Sequence, residues 1–360
     1  MKWFPFRVKT FPKSFLGIDI GTASIRAVEL SRKGQTRKLE NYGEMKTVSA
    51  KETPFRTIEK DSLLFSNREI AKSIETIVKE AGIKTREVNF SIPDFSTFFT
   101  NFELPPMSPK ELPQAVRYEA RSYIPLPLSE ITLDWTVIEG EVSAKLKSPL
   151  KILVAAIPNE VINQYQEIAQ FSNLKLQALE AEVFALARSS VRNEKGVVGL
   201  IDIGARSTTV NVLEKKILKI SHSFNISGNE LTEILSRSLS ISYEEAEKLK
   251  NNYGLVKMNK FELNVREILL PLIDSIFNEI RKIFQIFYRQ EGKEIEKIVL
   301  AGSSALLPGL KEYFAEEFQK EIEIANPFFG ISSPPILDEV LKEIGPTYAI
   351  AIGLALKGLE

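Results

Sequence analysis

Gly17-Ile18-Asp19-Ile20-Gly21-Thr22-Ala23-Ser24 recurs later in the chain, loosened, as Leu200-Ile201-Asp202-Ile203-Gly204-Ala205-Arg206-Ser207. In each copy an aspartate ends an apolar run, a glycine follows two residues later, and small or hydroxyl residues come next. A hairpin of this kind presents backbone N–H groups and one carboxylate, which suits a phosphate and its metal ion. Asp19 and Asp202 are the ligand type for Mg²⁺, which takes few carboxylates and several waters. One such hairpin alone is often only a turn. Two, followed by the strand-turn Ile298-Val299-Leu300-Ala301-Gly302-Ser303-Ser304, predict two half-domains facing each other across a nucleotide.

Working outward, 360 residues suffice for two domains with separate cores. The apolar share of 44% and charged share of 26% are those of a soluble globular chain. Lys+Arg and Asp+Glu both number 47, so no net field draws the molecule to nucleic acid, and none is expected as a partner. The absence of cysteine removes disulfides, thiolate nucleophiles and thiolate metal sites. His222 is the only histidine. It sits in the alternating run Lys219 to Phe224 and reads as a strand residue, not as a catalytic base or zinc ligand. No apolar run is long enough to cross a bilayer, and the N-terminus lacks a signal-peptide core, so a cytoplasmic location is expected. Met1 to Lys13 interleaves Trp3, Phe4, Phe6 and Phe11 with Lys2, Arg7, Lys9 and Lys13. Such an arm could rest on a membrane surface or pack on the body, and Pro5 and Pro12 argue against one continuous amphipathic helix.

Strands are expected over Ile25–Leu30 and Leu39–Val48. Ser66-Asn67-Arg68-Glu69 is a capping box opening a helix with an apolar stripe at Ile70, Ile74, Ile77 and Val78. The stretch Ser96–Ile157 changes character: it is Pro-rich, with one helical piece at Glu111–Tyr123 and strand-like runs at Ile131–Ile138 and Ile152–Ile157. It reads as a small α+β insertion, with 139–150 an exposed hairpin. Helices follow at Val161–Ser172 and Glu182–Val191, with a short strand at Leu176–Leu179 between them. Beyond the second hairpin, helices are expected at Tyr243–Lys250, Asn264–Tyr288 and Thr347–Lys357. Pro271 should bend the second of these or mark its first turn.

The three strand-turn segments resemble the phosphate-1, phosphate-2 and adenosine motifs of the actin-like ATPase superfamily. The resemblance implies an α/β, actin-like (ribonuclease H-like) two-domain fold with ATP and Mg²⁺ in the cleft. Asp19, Gly21, Thr22, Ala23 and Ser24 would face one side of the phosphates, and Asp202, Gly204, Ser207 and Thr208 the other. Gly302 and Ser303 would lie against the adenosine. Glu247 and Lys250 resemble a helix that clamps ribose and adenine in some members, and they equally fit an ordinary i,i+3 ion pair. Glu182, or Glu180 two residues earlier, stands where members place a residue that orients the attacking water.

The insertion points to a branch. Leu104 to Leu112, Glu119 to Pro125, Leu133 to Ile138, Glu180 to Arg188 and Pro346 to Ala355 resemble the PilM family of type IV pilus assembly proteins. That branch shares its 1C subdomain with the division protein FtsA. On this reading residues 1–14 are the arm, 15–95 and 159–196 form subdomain 1A, and 96–158 are 1C. Residues 197–343 are domain 2, with 2B at about 228–294, and 344–360 a closing helix. The resemblance implies an ATP-binding cytoplasmic scaffold, peripheral to the inner membrane. Its partners would be the N-terminal peptide of PilN, held between 1A and 1C, other platform proteins, and further copies of itself. Phe98, Phe99 and Phe102 are candidates for that groove or for the 1C core. The rival readings are an FtsA-like membrane adaptor and an actin-family phosphotransferase or ATPase. Because Glu182 or Glu180 is the one base on offer, the expectation is ATP binding with at most weak hydrolysis.

Overall fold

The computed structural model describes residues 14–47, 56–57, 62–63, 66–143, 148–192, 195–256 and 265–360. Strands β1 (Ser14–Ile20), β2 (Ser24–Lys33) and β3 (Thr36–Lys46) form an antiparallel meander whose first connection is the Asp19–Ser24 hairpin. A two-residue ribbon, β4 (Arg56–Thr57) and β5 (Ser62–Leu63), precedes α1 (Asn67–Glu80). The capping box forms as the sequence predicts: Ser66 Oγ accepts from the Glu69 N–H, and the Glu69 carboxylate accepts from the Ser66 N–H at 2.9 Å. β6 (Glu87–Ile92) then lies parallel to β1.

A short turn at Asp94–Ser96 leads into β7 (Phe98–Leu104), α2 (Leu112–Ala120), β8 (Ile131–Glu139) and β9 (Leu150–Pro158). These make a separate three-stranded antiparallel sheet in the order β7-β9-β8, with α2 over one face around Val116, Ile152 and Val154. The chain returns through α3 (Asn159–Phe171), β10 (Lys175–Ala181), which is parallel to β6, and α4 (Glu182–Ser190).

The pattern then repeats. β11 (Val197–Ile203), β12 (Thr208–Glu214) and β13 (Ile217–Phe224) form a second antiparallel meander. Three helices follow: α5 (Gly228–Leu239), α6 (Tyr243–Tyr253) and α7 (Val265–Glu291). β14 (Lys297–Ala301), α8 (Leu310–Phe318) and β15 (Glu321–Ile324) complete the second sheet. β16 (Ile331–Ser332) crosses back to pair with β3, and α9 (Asp338–Gly358) closes the chain. The sheets read β16-β3-β2-β1-β6-β10 and β13-β12-β11-β14-β15, and apart from β16 each has three antiparallel strands followed by two parallel ones. The phrase repeated in sequence thus marks a repeated five-stranded unit.

Two helices carry a proline inside, and one of them starts earlier than expected. Pro271 sits inside a continuous α7, and α9 begins at Asp338, well before Thr347, with Pro346 in its interior. A helix interior accepts a proline when packing outweighs the lost N–H bond. Both helices carry long buried stripes. His222 sits exposed on β13, as its alternating run predicts. The arm Met1–Lys13 lies outside the described residues, and so does part of the 139–150 loop.

What sets the distance between layers is α9 against the first sheet. A methyl group on Gly17 of β1 would fall onto the Ala351 carbonyl oxygen, and one on Gly353 of α9 onto the Ala185 carbonyl oxygen of α4. Glycine at both points lets backbone touch backbone. Gly353→Val is expected to lower stability by about 3 kcal/mol or more through overpacking. Urea unfolding midpoints test this, and a wild-type midpoint would refute the close approach.

Candidate functional site

The two hairpins close in the same way. The Gly21 N–H donates to the Ser24 carbonyl oxygen at 2.9 Å, and the Gly204 N–H to the Ser207 carbonyl oxygen at 2.9 Å. A side chain on either glycine would press on that same oxygen. Behind the first turn Asp19 is buried, and its Oδ1 accepts from Ser91 Oγ at 2.7 Å, so β6 fixes the carboxylate that β1 delivers. Behind the second turn Asp202 is half-buried against the turn after β14. There Gly302 has φ +90°, and a Cβ would collide with Asp202 Oδ1. That turn is pinned from both sides. The Ser304 N–H donates to the Ile203 carbonyl oxygen at 3.0 Å, and the Gly302 N–H donates to the Pro346 carbonyl oxygen of α9 at 3.1 Å.

These segments converge on one cleft. Asp19, Gly21, Thr22, Ala23 and Ser24 line one wall, and Asp202, Gly204 and Ser207 the opposite one. Gly302, Ser303 and Glu182 complete the lining drawn from the sequence.

Three of the sequence candidates lie elsewhere. Thr208 points away from the cleft and donates from Oγ1 to the Ile226 carbonyl oxygen at 2.6 Å; strand alternation brings Thr209 to the wall instead. Glu247 and Lys250 are not among the cleft residues. The Lys250 ammonium, itself buried, donates to Glu247 Oε2 at 2.7 Å, Thr232 Oγ1 at 2.7 Å and the Gly228 carbonyl oxygen at 3.0 Å. Burial draws its pKa down, against the pull of Glu247. Burial likewise opposes the charge on Glu247, but Lys250 and its hydrogen bonds prevail and leave that carboxyl below its ordinary value. The pair therefore braces α6 to the start of α5, where the Gly228 N–H donates to the Gly204 carbonyl oxygen at 3.0 Å. It supports the second hairpin from behind.

Glu180 and Glu182 have different surroundings. Glu180 is held by Arg188 in a two-pronged bond of 2.7 and 2.8 Å and by Lys357 at 2.9 Å, outside the cleft. Glu182 lines the cleft from the first residue of α4 and accepts the Asp94 N–H at 3.3 Å. Of the three phenylalanines, Phe98 and Phe102 belong to the core of the small sheet, whereas Phe99 meets Phe184 of α4 edge to face at 5.9 Å.

Comparison with known proteins places this architecture. A family model described as type IV pilus assembly protein PilM matches residues 17–359. The chain belongs to the PilM family. Its fold is also that of a solved PilM–PilN type IV pilus biogenesis complex, with TM-score 0.83 and 25% identity over 96% of this chain and 98% of that one. A structure of the ethanolamine utilization protein EutJ from Carboxydothermus hydrogenoformans matches with TM-score 0.58 and 16% identity, covering 96% of this chain and 90% of that one. FtsA of Streptococcus pneumoniae is 22% identical over 96% of this chain and 83% of its own length. The neighbours share the actin-like fold. No described helix of this PilM-family chain is long and apolar enough to cross a membrane.

Sequence reading missed several residues of the PilM-family site. Arg26, Arg206 and Thr347 line the cleft. Asp94, just past the end of β6, is buried behind it, and its Oδ1 accepts the Val183 N–H at 3.0 Å. Pro93-Asp94 reads as a strand end, and nothing local signals that the carboxyl turns inward. Burial first, then the charges of Glu182 and Asp202, push the Asp94 carboxyl well above its ordinary range. Ser24 Oγ, in the cleft wall, is buried without a hydrogen-bond partner, so the wall carries unused polar capacity. Among the described residues no three His, Asp or Glu side chains gather as a metal cluster, so a cation here would draw on water or ligand oxygens as well.

Because folded Asp94 keeps its proton to higher pH than the unfolded chain does, stability falls as pH rises above the ordinary aspartate value of 3.8. Asp94→Asn retains the acceptor for Val183 and removes that penalty. In metal-free protein the variant is expected to match the wild type near about pH 4 and to melt higher by pH 7. Parallel thermal melts that keep the same offset at both pH values would refute this account.

Proposed function

We propose that the cleft binds ATP with Mg²⁺, and that the chain is a scaffold of the type IV pilus inner-membrane platform whose partner is the N-terminal cytoplasmic segment of PilN. The observation that carries the reading is the pair of hairpins closed by the same Gly–Ser bond on opposite walls of one cleft, each with an aspartate behind it. Support comes from two relatives: the solved PilM–PilN complex, and MreB5 of Spiroplasma citri bound to AMPPNP, which has this fold at TM-score 0.50 and 14% identity over 92% of this chain and 97% of that one.

In this reading the backbone N–H groups and hydroxyls of Thr22, Ser24 and Ser207 bind the phosphates, and Asp19 and Asp202 hold the metal through its waters. The metal offsets phosphate charge. Gly302 and Ser303, which line the cleft beside the second hairpin, bound the adenosine side. Thr208, Glu247 and Lys250 act through the frame behind the second hairpin. Glu182 is the cleft carboxylate this reading assigns to orienting a water, and the Asp94 N–H that it accepts helps to hold it in place. A nucleotide touching both walls favours whichever arrangement of the halves binds it better, and so tunes the surface offered to the partner. The PilN segment lies where the inserted sheet meets subdomain 1A, and it keeps the protein at the inner membrane.

Calorimetric titration with Mg-ATP tests the site. Asp19→Ala and Asp202→Ala are each expected to weaken binding at least about tenfold, and unchanged affinity in both would overturn the assignment. Fluorescence anisotropy of a labelled PilN N-terminal peptide, with and without ATP, tests the scaffold. The expected result is ATP-sensitive binding with negligible turnover. Turnover at ordinary kinase rates of about 1–100 s⁻¹, or partner-free filaments on vesicles, would replace the reading with a catalyst or an FtsA-like adaptor.

A further inference from the structure

The two hairpins superpose in logic but not in charge. Aligned on their glycines, Thr22, Ala23 and Ser24 stand opposite Ala205, Arg206 and Ser207, so a guanidinium replaces a methyl at one position. The cleft that receives it is otherwise acidic: Asp19, Glu182 and Asp202 line it, with Asp94 buried behind. Arg26 is the other cation in the lining, and it is already committed, with its guanidinium 2.9 Å from Glu44 and its plane near Tyr348. Arg206 is half-buried in the same wall, and among the described residues it makes no ion pair or hydrogen bond.

A guanidinium that loses part of its hydration and gains no carboxylate costs stability unless something else meets it. Three carboxylates facing a polyphosphate repel it, and a metal ion held by two of them offsets only part of that repulsion. The remaining positive charge within the cleft is Arg206, whose fork suits two phosphate oxygens at once. We propose that Arg206 reads the phosphate chain of the bound nucleotide and sets affinity by the number of phosphates, and so separates nucleoside di- and triphosphates from nucleosides. This rests on the nucleotide reading of the cleft given above.

The test is a ladder of ligands, adenosine, AMP, ADP and ATP, titrated calorimetrically against wild type, Arg206→Ala and Arg206→Lys, with and without Mg²⁺. For Arg206→Ala the expected loss is on the order of tenfold to a hundredfold for ADP and ATP, and less than about threefold for adenosine. Arg206→Lys should recover part of it, as a point charge without the fork. A second readout needs no ligand: the apo Arg206→Ala protein should melt no lower than wild type, because an unpaired half-buried charge has been removed. Equal losses for adenosine and ATP, no loss for ATP, or a lower apo melting temperature would each overturn the proposal while leaving nucleotide binding intact. If the wild type binds none of the ladder, the nucleotide reading fails, and inorganic triphosphate decides for Arg206. Binding by wild type that Arg206→Ala loses would support its role, and no difference would end it.

Discussion

Backbone lies against backbone where α9 crosses β1 and α4, and most of the molecule takes its position from that contact. Helices normally stand 8–10 Å apart because side chains separate them. Gly17 and Gly353 remove those spacers, and the flanking Ala349, Ala351 and Ala355 keep the seam narrow and buried. The register of α9 is then fixed. Its first half brings the Pro346 carbonyl oxygen to the Gly302 N–H and turns Thr347 and Ile350 into the cleft wall. Its second half is locked where Glu180 joins Arg188 and Lys357, and where Arg188 also donates to the Gly353 carbonyl oxygen at 3.1 Å. Because α4 is held there, Glu182 at its start has one place to be.

The inserted sheet is tied to the rest by different means. On the side of the first half Phe99 packs on Phe184. Toward the second half Leu153, Phe99 and Ile138 share an apolar cluster with Leu213 and Leu218, and polar links border it: Lys219 to Glu139 at 2.8 Å, Lys151 to Glu291 at 2.9 Å, and the Asn101 amide to the Lys219 carbonyl oxygen at 3.3 Å. The Lys219 hydrogen bond holds the Glu139 carboxyl below its ordinary range. Since Glu139 is largely exposed, such pairs add little strength; they specify where the insertion sits. The insertion therefore meets both halves through apolar packing, and the ion pairs toward the second half fix where it sits.

The duplicated hairpin was readable because strand, aspartate, glycine and hydroxyl are contiguous and their geometry is local. The capping box at Ser66 was readable for the same reason. Where the outcome depended on a distant partner, sequence reasoning fell short. Pro346 signals a helix boundary, yet the chain runs straight through it because α9 is held by β1. Thr208 and Thr209 are equivalent as residue types, and only the facing of β12 decides which reaches the cleft. Glu247 and Lys250 have the spacing of a clamp, but Thr232 and the Gly228 carbonyl oxygen claim them from a neighbouring helix. Asp94 and Arg206 have no local signature at all: one is defined by what buries it, the other by the absence of a carboxylate within reach.

The seam between α9 and β1 also joins the ends of the described chain. The Phe15 ring lies where a side chain on Gly358 would go, Leu359 is buried, and Arg32 donates to the Leu359 carbonyl oxygen at 2.8 Å. α1 and α3 cover one apolar face of the first sheet, but the other face is covered by α9, which is made after all of these strands. The second sheet shares that dependence: one face closes with residues between Val197 and Ile324, and the other packs Val198, Leu200 and Val299 with α4 and with Ala349, Ile350 and Leu354 of α9. One face of each sheet can therefore close before α9 is made, and the other cannot. The earliest strands must wait half-covered until α9 is made, a long-range closure of the kind that slows folding and invites chaperones.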